Sequence, residues 1–357
     1  MSTSRSASSR ERKVKSFDPN GPALDDAGVF GLPFTTEESS LVLVPIPWEA
    51  TVSYGRGTAD GPQAILDSSM QVDLFHPEFP ELWKLGVAMD KAPAGLRKLS
   101  DKSRKKAEKV IDGVSSGLSV GSPVVSKLLR EVNSACESMV STVQNAVSVH
   151  LDAKKLVGLV GGDHSTPLGY MKALAERYPD FGILQIDAHM DLRNAYEGFA
   201  YSHASIMYNA LRIPQVSKLV QLGIRDSCIE EQNVVKKSKG RVKVFTYADV
   251  ARNRYAGMNW KKQCNDIIAA LPKNVYISFD IDGLDPKLCP NTGTPVAGGF
   301  EFHEITFLLS LLANSGKRII GFDLNEVAPG KTDWDGNVGA RMLFHLCGVI
   351  ARSNRLL

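Results

Sequence analysis

The stretch Phe181 to Asp191, FGILQIDAHMD, limits the folding of this chain more than any other. Its apolar run, Phe181 to Ile186, reads as a strand, and Asp187, His189 and Asp191 follow at alternate positions. If the extended conformation persists, all three side chains leave on the same side. Two other stretches repeat the device. GGDHS, from Gly161 to Ser165, presents His164, and SFDIDGLDP, from Ser278 to Pro286, presents Asp280 and Asp282 after the apolar segment Val275 to Ile277. Three loops, each after a strand-like run, therefore deliver His or Asp side chains.

Carboxylates and imidazoles together suit divalent metals such as Mn, Ni or Zn, whereas an all-oxygen set suits Mg or Ca. Four acids crowded into one site repel one another unless cations sit between them. With His164 and His189 the set reaches six ligands. That exceeds what one four-coordinate ion needs and fits two ions sharing carboxylates. Such a pair acidifies bound water, so the implied reaction class is hydrolysis. Singly, each stretch has a plainer reading: a Gly-rich turn, a strand end with solvated acids, and an Asp-Gly turn closed by Pro286.

GGDHS, DAHMD and SFDIDGLDP, in that order and spacing, resemble the three signatures of the ureohydrolase superfamily, which includes arginases, agmatinases, formimidoylglutamases and guanidine hydrolases. The likeness extends through PIPWEATVSYGRGTADGPQAIL (Pro45 to Leu66), NTGTPVAGGF (Asn291 to Phe300) and GFDLNEVAP (Gly321 to Pro329), covering most of residues 40 to 350. It implies one metal held by His164, Asp187, Asp191 and Asp280, and a second held by His189, Asp187, Asp280 and Asp282, with Asp187 and Asp280 bridging. Mn2+ is the expected ion and Ni2+ the alternative. The resemblance also implies a homo-oligomer, a trimer or hexamer.

The chain has 357 residues, is 43% hydrophobic and carries a formal charge of +3. This balance is ordinary for a globular protein and asks for neither nucleic acid nor a membrane surface. No run approaches the roughly 18 apolar residues of a membrane span. Five scattered cysteines without a CxxC pair suit reduced thiols in the cytoplasm, and Cys289 reads as a packing residue.

Met1 to Lys15 is rich in Ser, Arg and Lys, so residues 1–20 are expected to be a disordered basic tail; a similar composition marks organelle transit peptides. Residues 30–357 are expected to form one α/β domain, a three-layer α-β-α arrangement around a mostly parallel sheet, with a helical excursion at about 91–150. Strands are expected at Ser40 to Pro45, Leu156 to Val160, Gly182 to Ile186, Lys218 to Gly223, Lys243 to Phe245, Val275 to Phe279 and Arg318 to Asp323. Helices are expected at Pro62 to Ser69, near Asp101 to Val114, and at Leu168 to Arg177 after Thr166-Pro167. A long amphipathic helix follows from Val124, Leu128, Val132, Cys136, Met139, Val143 and Val147. Repeated β-α units build parallel sheets that bind ligands at the carboxyl ends of their strands, where the three ligand loops emerge.

The loop Pro47 to Pro62 is a candidate pocket wall, with Trp48 and Tyr54 as substrate-binding candidates. Family members commonly carry an acid two residues after the Pro of a PFD sequence; here Trp48 and Glu49 follow Pro47. A carboxylate meets a guanidinium group with two parallel hydrogen bonds. Glu326, in NEVAP, matches the family's substrate-holding Glu, and His203, in YSHASIMYNAL, matches its proton-shuttling or guanidino-positioning His. Asp191 is the expected proton acceptor during attack.

Family arginases and agmatinases usually have Gly after that His, but this chain has Ala204 and Ser205. The segment between Asp191 and His203 is also longer and holds Arg193, Tyr196, Glu197 and Tyr201, where the family reads the substrate tail. The expected substrate is a small cationic guanidino compound without an α-carboxylate, either agmatine-like or guanidine itself. A non-catalytic binding subunit with the same fold is the alternative of another class.

Overall fold

Strands far apart in sequence lie side by side in one sheet. The computed structural model describes residues 2–24 and 27–357, with backbone alone for 2–7. The strands are β1 (Leu41–Ile46), β2 (Val87–Met89), β3 (Leu156–Gly161), β4 (Phe181–Ile186), β5 (Val216–Ile224), β6 (Val242–Thr246), β7 (Asn274–Asp280) and β8 (Arg318–Asn325). Their order is β2-β1-β3-β8-β7-β4-β5-β6, and every adjacent pair is parallel. Runs such as LVLVPI and FGILQI are buried at every position, as a parallel sheet covered on both faces requires.

The helices are α1 (Ser2–Ser16), α2 (Gly61–Ser69), α3 (Leu96–Ser115), α4 (Pro123–Asp152), α5 (Leu168–Ala175) and α6 (Ile206–Ala210). They continue as α7 (Ile229–Lys237), α8 (Tyr247–Tyr255), α9 (Trp260–Ala269), α10 (Phe302–Ala313) and α11 (Trp334–Ser353). Side chains of α2 and α8 to α11 fill the core on one face of the sheet, through Ile65, Val250, Ile267, Leu308 and Leu343. Those of α3 to α7 fill the other, through Val110, Val132, Met171 and Ile206, with Val234 of α7 packed against them. The result is the three-layer α-β-α sandwich. The ligand loops follow β3, β4 and β7, which with β8 form the four central strands, so the topology itself converges their carboxyl ends.

Three expectations need correction. The tail is helical over Ser2–Ser16 rather than disordered, because long-range partners hold it. Lys13 Nζ reaches Glu38 Oε2 and the Pro33 carbonyl, both at 2.7 Å, Arg10 donates to Ser40 Oγ at 2.5 Å, and Phe17 packs beside Trp83. The first turns of α4 bury Val125 and Leu129, while Val124 is 69% exposed. Both sets share the helical period with Val132, and Leu129 is chosen because it seats against Gly198. The third concerns β2, which has no counterpart among the expected strands. Its three residues form the sheet edge, too short for an alternation to register.

Candidate metal centre

β3 delivers His164 through two glycines that let the chain run against its neighbours. A Cβ on Gly161 would collide with the Asn325 side chain, and one on Gly162 with the Trp48 carbonyl. His164 is almost fully buried, and its Nδ1 lies 3.0 Å from Asp187 Oδ2, 3.1 Å from Asp191 Oδ2 and 3.3 Å from Asp280 Oδ2. His189 Nδ1 lies 3.0 Å from Asp282 Oδ2 and 3.6 Å from Asp187 Oδ1. Two ligand groups result, His164 with Asp187 and Asp280, and His189 with Asp187 and Asp282. Asp187 belongs to both. Asp191 stands beside the first group through its contact with His164.

The extended chain does not persist through DAHMD. β4 ends at Ile186, and Asp191 takes a φ of 55°, which side-chain-bearing residues rarely adopt. Neighbours fix that turn: Met207 N and Tyr208 N donate to the Asp191 carbonyl at 3.1 Å, and Leu192 N donates to Glu231 Oε1 at 3.0 Å. Asp282 Oδ1 accepts from Ala188 N at 2.9 Å, and Asp280 Oδ1 from Asp282 N at 2.9 Å.

A second layer of buried polar groups holds the ligands. Ser278 Oγ lies 2.9 Å from His164 Nε2 and donates to Asp323 Oδ1 at 3.2 Å. Gln185 Nε2 donates to Asp187 Oδ2 at 2.8 Å and is backed by Gln221 across β5 at 2.6 Å. Outer partners of this kind fix the orientation and basicity of ligands. Neither Ser278 nor the two glutamines stood out in the sequence, although a glutamine inside the apolar run FGILQI was the available signal.

Charge in the site is frustrated. Burial, then the charges of Asp282 and Asp187, pushes Asp280 well above the carboxylate range, and burial and Asp187 raise Asp191 to about 7. Asp187 moves down, because His164 and His189 outweigh its burial. Burial alone would lower His189, but Asp282 and Asp187 push it up to about 12, and carboxylates raise His164 likewise. A cation among these groups would relieve the mutual perturbation and leave both kinds of group in their ligating forms. His164 Nδ1 and Asp282 Oδ2 are also buried without a hydrogen bond, a cost that coordination removes. These donors fit divalent cations of the borderline class.

A cavity of about 160 Å3 opens beside the centre, lined by His189, Asp191, Arg193, Tyr196 and His203, with Ser53 and Thr294 opposite. His203 thus reaches the wall as expected, with Nδ1 buried and unpartnered, and burial followed by the charges of His189 and His164 lowers its pKa to about 3. Glu326 is buried next to His164 rather than on the wall. It has a φ of 64°, its Oε1 accepts from His164 N at 2.8 Å, and burial, then Asp163, raises its pKa well above the ordinary value.

The other substrate-binding candidates lie elsewhere. Trp48 is a fully buried core residue whose carbonyl accepts from Asp163 N, because Ile46 hands it inward off β1. Tyr54 is 81% exposed and does not line the cavity, where its neighbour Ser53 stands instead. Tyr201 donates to Glu137 Oε1 of α4 at 3.0 Å and so faces the helix, not the cavity. Asp226, Ser227, Glu231 and Thr294 line the cavity without having been singled out. Asp226 stands two residues beyond the end of β5, and its place at a strand's carboxyl end was a usable sign. Cys289 is buried, and burial with nearby Asp335 raises its thiol well above the usual range, as suits a packing residue.

Comparison with known proteins places this geometry in a wider group. The chain is 30% identical over 313 residues to the N(1)-aminopropylagmatine ureohydrolase of Thermus thermophilus, covering 88% of this chain and 91% of that protein. It is 29% identical over 299 residues to the agmatinase of Bacillus cereus, with 82% and 85% covered. The fold matches the crystal structure of the agmatine ureohydrolase of Thermoplasma volcanium with a TM-score of 0.69 at 21% identity, over 97% of this chain and 99% of that one. The arginase family model matches residues 39–348, and the chain belongs to the arginase family.

Proposed function

We propose that this protein hydrolyses a C–N bond of a small cationic guanidino compound and releases urea. The observation that carries the reading is the pair of His/Asp groups sharing Asp187 beside a small cavity. Relatives named agmatinase and N(1)-aminopropylagmatine ureohydrolase support an agmatine-like substrate, which would yield urea and a diamine. In this reading His164, Asp187, Asp191 and Asp280 hold one cation, and His189, Asp187, Asp280 and Asp282 the other, Mn2+ or Ni2+. Such a pair supplies Lewis acidity and acidifies water at neutral pH.

The remaining steps belong to the chain. The carboxylates of the centre draw the planar cation in and orient it by charge-assisted hydrogen bonds, and Glu326, buried beside His164, positions that residue through the hydrogen bond it accepts from His164 N. Asp191 takes a proton from the attacking water at its carboxylate and returns it to the departing nitrogen. His203, uncharged at neutral pH, positions the guanidino group from the wall.

A second reading, guanidine or a substituted guanidine giving urea and ammonia or a small amine, is favoured by the cavity's small volume and by Arg193 in its wall. The test is urea release by protein stripped and reloaded with Mn2+ or Ni2+, offered arginine, agmatine, guanidinobutyrate, guanidine and methylated guanidines. Turnover of at least one cation lacking an α-carboxylate, well above arginine, is expected. Protein that holds two metals yet releases urea from none of them is a binding subunit instead.

A further inference from the structure

Arg193 is a half-buried cation in the cavity wall. Among the described residues its guanidinium enters no ion pair or hydrogen bond; it stacks on the ring of Tyr196 at 4.9 Å. The platform beneath it is fixed. Tyr196 and Phe199 exchange backbone hydrogen bonds of 3.2 and 2.8 Å, closing a two-residue turn whose Glu197 and Gly198 have φ of 53° and 87°, the left-handed pair that such tight turns need. Asn133 of α4 clasps the turn from outside, donating to the Gly198 carbonyl at 3.3 Å and accepting from Ala200 N at 3.0 Å. A Cβ on Gly198 would lie 2.8 Å from Leu129, so the hairpin sits hard against the helix.

Among the described residues, no acid of the wall forms an ion pair with this guanidinium. Glu231, also in the wall, spends one oxygen on Leu192 N at 3.0 Å and the other on Cys228 N at 2.9 Å. Asp226 is exposed to solvent. A substrate whose guanidinium lies among the site carboxylates therefore extends its remaining atoms past a fixed, stacked guanidinium, in a space of about 160 Å3.

Given the guanidino-hydrolase reading above, with the second of its substrates, guanidine or a substituted guanidine, on which this rests, we propose that Arg193, seated on Tyr196, determines specificity by turning away guanidino compounds whose tail bears a second positive charge. Guanidine and its alkyl derivatives are accepted; agmatine is disfavoured by its terminal ammonium rather than by its length.

The test compares kcat/KM for guanidine, agmatine and pentylguanidine, in which a methyl replaces agmatine's ammonium, using the metal-loaded full chain. Pentylguanidine should exceed agmatine by about tenfold or more, the size expected for like charges roughly 10 Å apart at an effective dielectric of about 20. Arg193→Gln should bring that ratio down to near one, and Arg193→Lys should keep it. Equal values in the unaltered protein, or a ratio untouched by Arg193→Gln, overturn the role of Arg193 while leaving the hydrolase reading intact. Absence of urea from all three compounds, with two metals bound, removes the hydrolase reading and this one with it.

Discussion

Asp191 and Glu326 both hold left-handed backbone, at a cost of about 1–3 kcal/mol each, and both sit in the site. The surroundings over-determine them: two amides of α6 grip the Asp191 carbonyl, and Glu326 N donates to Gly162 O while its carboxylate takes His164 N. Strain here aims acids at places a relaxed strand end would miss. His164 depends on a comparable support, since Ser278 fills its second nitrogen. Ser278→Ala should weaken Mn2+ binding by roughly 10–100-fold with little loss of thermal stability, as measured by isothermal titration. Unchanged affinity would show the serine to be a bystander. At this scale the six ligand candidates were readable because alternate Asp and His after an apolar run have few other uses. The supports were not, because Ser278, Gln185 and Gln221 act across neighbouring strands, and spacing along one strand says nothing about the strand beside it. Trp48, Tyr54 and Tyr201 were misplaced for a related reason: a loop's composition marks it as a wall but does not say which side chains face inward.

Helix α1 shows how an element can depend on a partner distant in sequence. Its last turns are tied to Glu38 by Lys13 and Ser9, which outweigh burial and hold that carboxyl at about 2. A carboxyl depressed in the folded state contributes stability above its unfolded value, near 4.5, and loses it as pH falls towards 2. Amide hydrogen exchange in α1 should therefore quicken as pH is lowered from 5 towards 2.5, after correction for intrinsic rates, and ahead of exchange in the central strands. In Glu38→Gln the helix should already exchange fast at pH 5. An α1 whose protection is indifferent to both changes is held by something other than this tether. Composition made residues 1–20 look unstructured because the helix draws its support from Glu38, Ser40 and Trp83, which local pattern does not reveal. The long helix α4 was legible in period, and only its first turns were misassigned, where two faces fit equally and Gly198 decides between them.

Across the whole molecule, sheet order turns scattered motifs into a centre. His164 and Glu326 lie 162 residues apart yet share a hydrogen bond because β3 and β8 are neighbours, and β7 and β4 complete the central four. The candidate strand ends were legible in the sequence, since apolar runs and their polar exits are local. It did not show which strands adjoin, since pairing is decided by the packing of helices on both faces. Among the described residues no helix is long and apolar enough to cross a membrane.

The central claim is that two divalent cations share Asp187, and metal stoichiometry tests it most directly. Chain stripped by chelator, reloaded with Mn2+ or Ni2+ and freed of excess ion should hold two metals by elemental analysis. Asp282→Ala, which reaches only the His189 group, should hold one, and Asp187→Ala, which removes a ligand of both ions, should retain neither and release no urea. Two metals kept by Asp187→Ala, or fewer than two in the unaltered chain, would contradict the account.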